Sequence, residues 1–125
     1  MQGFDIGTLV TELKDYQKND LNITKVKIEW IKKNTIGQAF DFYKSSKANW
    51  DEVYHHVGIY SFRYETLKKF ISLTPSINEL NHKLEQWRAL DAKMTIGVSY
   101  VKDVPISVDT KKDLSNVENI IKNKL

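Results

Sequence analysis

The stretch Val26-Lys27-Ile28-Glu29-Trp30 alternates apolar and polar residues without a break. Successive side chains of a β-strand point to opposite faces, so this run makes a strand with one apolar face and one wet face. Such a strand holds together only inside a sheet whose apolar face is covered. The rest of the chain supplies partners and cover. Residues 4–10 are apolar and β-branched enough for a strand, and residues 11–22 are polar and read as a connection. The strand of residues 23–31 runs into Asn34-Thr35-Ile36-Gly37, a turn, and residues 39–43 begin another strand, which predicts a hairpin. Residues 45–52 read as a polar loop, and residues 53–62 as the next strand. Residues 94–101 form a further strand and residues 104–108 a short one.

Helices are marked by their starts. Residues 64–73 carry Leu67, Phe70 and Ile71 at spacings of three and four, with Lys68 and Lys69 outward, and Pro75 ends or redirects the helix. Ser76-Ile77-Asn78-Glu79 is a capping box, in which Ser76 accepts from the N–H of Glu79 and the Glu79 carboxylate returns to the N–H of Ser76. Ile77, Leu80, Leu84 and Trp87 give the apolar stripe of the helix that follows. Thr110-Lys111-Lys112-Asp113 is a second box with Asp for the usual Glu or Gln, and its helix is expected to bury Leu114, Val117 and Ile121. This order of elements predicts an α/β fold: a mixed β-sheet layered with helices, the last helix packed on one face.

Composition excludes several classes. A length of 125 residues suits one domain, and 41% hydrophobic with 28% charged residues is an ordinary globular balance. No apolar run approaches a membrane span, so no membrane insertion is expected. The start, MQGFDIGTLV, has neither the basic region nor the apolar core of a secretory leader. Cysteine is absent, which excludes disulfides and thiolate sites and is compatible with a cytoplasmic home. The net charge of +3 comes from lysines scattered along the chain, which reads as a solvated surface. Nucleic acid as a partner would need a one-sided basic patch, and no nucleic-acid partner is expected.

The candidate chemistry begins in Val53-Tyr54-His55-His56-Val57-Gly58-Ile59-Tyr60. On a strand His55 and His56 face opposite ways, and His82 stands alone on a helix, so a histidine metal cluster is not expected. His56 and Tyr60 share a face and lie about 13 Å apart along an ideal strand, with Gly58 between them. A ligand could approach the bare backbone there, or the face could be packed aromatics with a bulge at Gly58. Glu85 and Gln86 fall off the apolar stripe of their helix. They are either surface groups, with Arg88 placed to pair with Glu85, or ligand contacts. Asp109, just before the last helix, could cap that helix or bind a hard cation such as Mg²⁺. No Walker-type or G-x-G-x-x-G loop is present to hold phosphates.

Taken together, these segments resemble a family. His56-Val57-Gly58-Ile59-Tyr60, then Leu84-Glu85-Gln86-Trp87-Arg88, then Ser107-Val108-Asp109-Thr110-Lys111-Lys112-Asp113-Leu114 look like the H-x-G-x-Y, L-E-Q-L-R and G-V-D-T-x-x-D-L motifs of the 3-deoxy-manno-octulosonate (Kdo) cytidylyltransferases, in the same order. Upstream, "DIGTLV", "NITKVKIEW" and "GQAFDFYKS" are similar to that family's A-T-L, N-x-V-K-V and G-x-A-L-Y-F-S-R strands. The resemblance covers nearly the whole chain and concerns the C-terminal half of the family's domain. It implies a single partial domain over residues 1–125, half of a Rossmann-like nucleotidyltransferase fold. The implied reaction joins CTP and Kdo into CMP-Kdo with release of pyrophosphate, for lipopolysaccharide synthesis in the cytoplasm. The resemblance also implies that His56, Tyr60, Glu85 and Gln86 contact the sugar acid, that Lys44 belongs to the catalytic site, and that Asp109 helps hold Mg²⁺. Kdo and an 8-amino relative fit the motifs equally.

Three departures accompany the resemblance. The family's phosphate-cradling P-A-R loop and its Q-G-D metal segment have no counterpart here, and Met1-Gln2-Gly3 does not align with the latter. Lys44 puts a point charge where the family has a planar arginine fork. The short stretch 45–52 replaces a proline-rich, arginine-bearing loop. The expectation is therefore a chain inactive by itself, working as a homodimer or paired with a nucleotide-binding half. The alternative is a non-catalytic fragment that serves as a binding or assembly module.

Overall fold

The computed structural model describes residues 3–45, 52–104 and 106–125. Five strands and four helices are defined among them: β1 Ile6–Glu12, β2 Lys25–Lys32, β3 Ile36–Tyr43, β4 Val53–Phe62, α1 Tyr64–Ser72, α2 Ile77–His82, α3 Gln86–Asp91, β5 Ile96–Tyr100 and α4 Lys111–Lys124. A single 3-10 turn, Asp15–Gln17, interrupts the segment between β1 and β2. None of the described helices is long and apolar enough to cross a membrane.

The expected hairpin forms. β2 and β3 pair antiparallel, with Trp30 opposite Gly37 and Lys32 opposite Ile36. The turn is tighter than the sequence suggested, because Ile36 and Gly37 already belong to the strand and Asn34 alone takes a left-handed φ of 55°. Asn is among the few residues that enter that region readily. Gly37 is required by space: a Cβ there would stand 2.6 Å from Ile28 Cγ2 and 2.7 Å from the Glu29 carbonyl oxygen.

The sheet is mixed, as predicted. β1 pairs β5 parallel, while β1–β4, β2–β4, β2–β3 and β3–β5 are antiparallel. Because β5 pairs both β1 and β3, the ladders among the described strands run β1–β4–β2–β3–β5 and return to β1. The long strand β4 makes this possible, pairing β2 through residues 53–55 and β1 through residues 54–62.

Inward-facing apolar side chains fill the core. Ile6 and Val10 of β1, Val26 and Ile28 of β2, Ala39 and Phe42 of β3, and Ile96 and Val98 of β5 are all buried. Leu84, Ala89 and Met94 close the core from the α2–α3 side. One charged group joins the core at the start of β2. Lys25 is fully buried, and its ammonium donates to the carbonyl oxygens of Asp20 at 2.6 Å and Lys44 at 2.7 Å. Burial pulls its pKa down, and the Asp20 carboxylate pulls it partly back.

Four further expectations are corrected. Residues 11 and 12 continue β1 instead of opening the connection. The helix after Ser76 is two helices, split at Lys83, which adopts φ 56°. Its stripe divides accordingly, since Leu84 is buried while Ile77 and Leu80 are exposed. No strand forms at Val104 or at residues 106–108, and Pro105 lies outside the described residues. Helix α4 buries none of its residues; Leu114 and Ile121 are about half exposed, so the last helix is not packed on the sheet. Both capping boxes form as read, on Ser76 with Glu79 and on Thr110 with Asp113. Of the expected loop 45–52, only Ser45 and Glu52 are described. Met1 and Gln2 also lie outside the described residues.

Candidate functional site

His56 and Tyr60 face the same side of β4, but far closer than an ideal strand allows. Opposite β1, the register jumps from Tyr60↔Thr8 to Val57↔Leu9, so Gly58 and Ile59 are extra residues in a bulge. The bulge shortens β4, and the imidazole and phenol rings come to 5.4 Å between centroids. The sequence allowed either a bulge or an open approach at Gly58, and the structure contains both. Nothing lies within 4 Å of where a Gly58 Cβ would be, so the backbone is uncovered there.

His56 sits at the inner end of this pair. It is buried, its backbone N–H donates to the Thr24 carbonyl at 2.9 Å, and Phe42 meets its ring edge-on at 5.3 Å. Nε2 lies 2.9 Å from Thr8 Oγ1. Burial, aided by the neighbouring His55, pushes the imidazole down to about 4, so it is neutral at ordinary pH. Tyr60 is pushed up to about 12, by burial first and by the Glu85 carboxylate second, so its phenol keeps its proton. The site thus offers neutral hydrogen-bonding groups with a carboxylate alongside.

Tyr60, Glu85 and Gln86 line one cavity of about 190 Å³ together with apolar side chains that include Ile6, Phe62 and Phe70. Two contacts of α3 hold the polar side of this cavity. Trp87 Nε1–H donates to the Phe42 carbonyl at 2.9 Å, which ties α3 to β3. Arg88 reaches Glu79, not Glu85, through paired bonds of 2.8 Å and 2.6 Å, and its guanidinium also lies 5.0 Å from the Phe70 ring centre. The expected Glu85–Arg88 pair is therefore corrected. Glu85 is the N-cap residue of α3, one turn before Arg88, so the spacing itself is kept, but Glu79 offers the guanidinium a bidentate partner. Glu85 is left exposed at the cavity rim, whereas Gln86, thought a surface candidate, is buried.

The other candidates stand apart. His55 faces the opposite side of β4, as alternation requires, and lines a second hollow with Thr11, Lys14 and Lys102. Lys44 follows the end of β3, where its carbonyl receives the Lys25 ammonium. Asp109 does not cap α4, because Thr110 and Asp113 do so. Among the described residues its exposed carboxylate accepts one bond, from Ser107 Oγ at 3.2 Å. Among the described residues no three His, Asp or Glu side chains gather into a metal-holding group. Sequence reasoning missed Thr8, although a signal existed: it is the one polar residue on the inward parity Ile6–Thr8–Val10 of β1.

No family model matches the chain. Curated relatives do. The chain is 37% identical over 118 residues to the 3-deoxy-manno-octulosonate cytidylyltransferase of Bartonella tribocorum, covering 94% of this chain and 49% of that protein. It is 38% identical over 122 residues to the enzyme of the same name from Rhodospirillum centenum, covering 95% and 47%. Against that of Bartonella henselae it is 40% identical over 119 residues, covering 94% and 49%. The chain thus spans about half the length of the curated relatives it matches. A solved structure of CMP:2-keto-3-deoxy-manno-octonic acid synthetase complexed with CTP shares its fold, with a TM-score of 0.84 and 23% identity, over 98% of this chain and 51% of that one.

Proposed function

This chain is homologous to about half of a 3-deoxy-manno-octulosonate cytidylyltransferase, and from that premise we propose that it is the sugar-acid-binding half of such an enzyme. The observation that carries the reading is the convergence of Tyr60, Glu85 and Gln86 on one cavity, with His56 against Tyr60. These come from two separate motifs of the resemblance, and only folding brings them together. In this reading the chain corresponds to the C-terminal half of a Rossmann-like nucleotidyltransferase, working in the cytoplasm in lipopolysaccharide synthesis. It takes part in transfer of CMP from CTP to Kdo or an 8-amino relative.

The chemistry of the four groups suits a polyol. A protonated phenol donates, a carboxylate accepts, and an amide and a neutral imidazole each do both. None of the four carries positive charge, so the sugar's carboxylate needs its cation from elsewhere. Lys44 is the candidate within this chain. Asp109 suits Mg²⁺ as one ligand of several, because among the described residues only Ser107 bonds its carboxylate and Mg²⁺ commonly takes one or two carboxylates with substrate phosphate oxygens. The bound ion would offset charge on the phosphates during in-line attack by the sugar oxygen. Phosphate binding itself falls to the nucleotide-binding half.

A turnover assay with CTP, Mg²⁺ and Kdo tests this reading. The chain alone is expected to be silent, and addition of a cytidylyltransferase N-terminal half is expected to produce CMP-Kdo, with Asp109→Ala abolishing it. CMP-Kdo formed by the isolated chain, at a rate that Asp109→Ala leaves intact, would sink both the half-enzyme reading and the metal role. A second reading, a non-catalytic assembly module, is favoured by the uncovered apolar side chains of α1, α2 and α4, among them Ile71, Ile77, Leu80 and Ile121. It prevails if the reconstituted mixture binds but never turns over.

A further inference from the structure

We propose that Thr8 is a positioning residue: it locks His56 as the Nε2–H tautomer, so that Nδ1 faces a ligand as a hydrogen-bond acceptor. The argument starts at the bulge. A bulge takes residues out of the ladder and leaves their backbone groups to find other partners. The Thr8 hydroxyl lies 2.8 Å from the Ile59 carbonyl oxygen and 3.2 Å from that of Val57, and 2.9 Å from His56 Nε2. It has one proton to give. Both carbonyls can only accept, so the proton goes to one of them, and Ile59 is the nearer.

The hydroxyl oxygen then has lone pairs left, and Nε2 can satisfy its contact only by donating. The proton of the neutral imidazole is thereby placed on Nε2, and Nδ1 carries the free lone pair. The opposite tautomer would demand the Thr8 proton for Nε2 and leave both bulge carbonyls without it. Thr8 is itself buried, at 3% exposure, so water does not substitute freely. Among the described residues none is hydrogen-bonded to Nδ1, which leaves its lone pair for a ligand. Phe42 and Tyr60 flank the ring and limit its rotation.

An acceptor at that position selects a donor, and a sugar hydroxyl is the donor that the proposed substrate class supplies. This last step rests on the proposed function; the tautomer does not. The test separates the two. Imidazole ¹⁵N spectra of the labelled chain at neutral pH are expected to show His56 with protonated Nε2 and bare Nδ1. Thr8→Ser should preserve that pattern, and Thr8→Val should mix or reverse it. A parent spectrum with the proton on Nδ1 overturns the proposal even if Thr8→Val fails to fold. So does a folded Thr8→Val chain with an unchanged tautomer.

With the complementary half present, Thr8→Val should raise KM for the sugar acid about tenfold with a smaller change in kcat, the loss of one hydrogen bond. Thr8→Ser should restore it. An altered tautomer with unaltered KM overturns the ligand-facing role. If the parent mixture neither binds nor turns over the sugar acid, the proposed function fails while the spectra still decide the tautomer.

Discussion

His56 shows how little a residue type says without its surroundings. Two adjacent histidines gave the sequence only a parity argument, that one faces each way, and the structure bears it out. What the parity could not supply was Thr8, forty-eight positions away, or the bulge that brings Tyr60 to the ring. The depressed pKa has a consequence for stability. A histidine held near 4 when folded and near 6.5 when unfolded contributes fully above pH ~6.5, and that contribution is lost as pH falls toward 4, because the unfolded chain takes up a proton first. The loss should approach roughly 3 kcal/mol, and His56→Leu should flatten that slope in denaturant melts between pH 7 and 4. A slope unchanged by the substitution would assign the pH dependence to another group. Glu79, held low chiefly by the Arg88 side chain, acts in a lower window, below the ordinary carboxylate range. The choice of partner by Arg88 is also testable. Arg88→Met should lower the thermal midpoint by stranding buried Glu79, while Glu85→Gln should leave it where it was. Equal effects would restore the pairing that helical spacing had suggested.

At the scale of elements, the most legible features were those with local causes. Strand β4 appeared at the predicted residues because its apolar, β-branched and aromatic run has turn-forming sequence before it and a helix start after it. Both capping boxes formed because their bonds span only three residues. Ser76→Ala should therefore cost about 1 kcal/mol in denaturant unfolding. Gly37→Ala should cost more, roughly 1–3 kcal/mol, since Glu29 backbone stands where the methyl would go. Wild-type stability in Gly37→Ala would show that the hairpin can spread at no cost. Errors came where an element's fate depends on a distant one. A stripe of Ile77, Leu80, Leu84 and Trp87 read as one helix, but Leu84 turns into the core and Trp87 bonds to β3, and the chain breaks at Lys83 to allow both. Nothing local marks Lys25 for burial, and only the carbonyls of Asp20 and Lys44, presented by separate segments, make it possible. Lys25→Met should destabilise by roughly 1–3 kcal/mol, because it leaves those carbonyls unpaired in an enclosed place.

The whole molecule has a packed interior and an unfinished exterior. The ring of strands is filled by inward side chains, yet α4 buries nothing, and α1 leaves Leu67 and Ile71 exposed beside the proposed sugar cavity. Exposed apolar surface drives association where it is extensive. The chain alone should self-associate in size-exclusion chromatography, and a cytidylyltransferase N-terminal half should convert it to a defined complex. A sharp monomer peak that ignores the added half would argue against an uncovered interface. The sequence by itself determined where β2 and β4 lie, the caps, the opposed faces of the two histidines and, through motifs in order, the family resemblance. Each is written in short-range patterns that hold wherever the segment ends up. Only the tertiary structure decided the closure of the ladders, the partner of Arg88, the burial of Lys25 and Gln86, and the protonation of His56. Each of those depends on which groups meet across long separations and on how much water they exclude, and neither is fixed until the chain has packed.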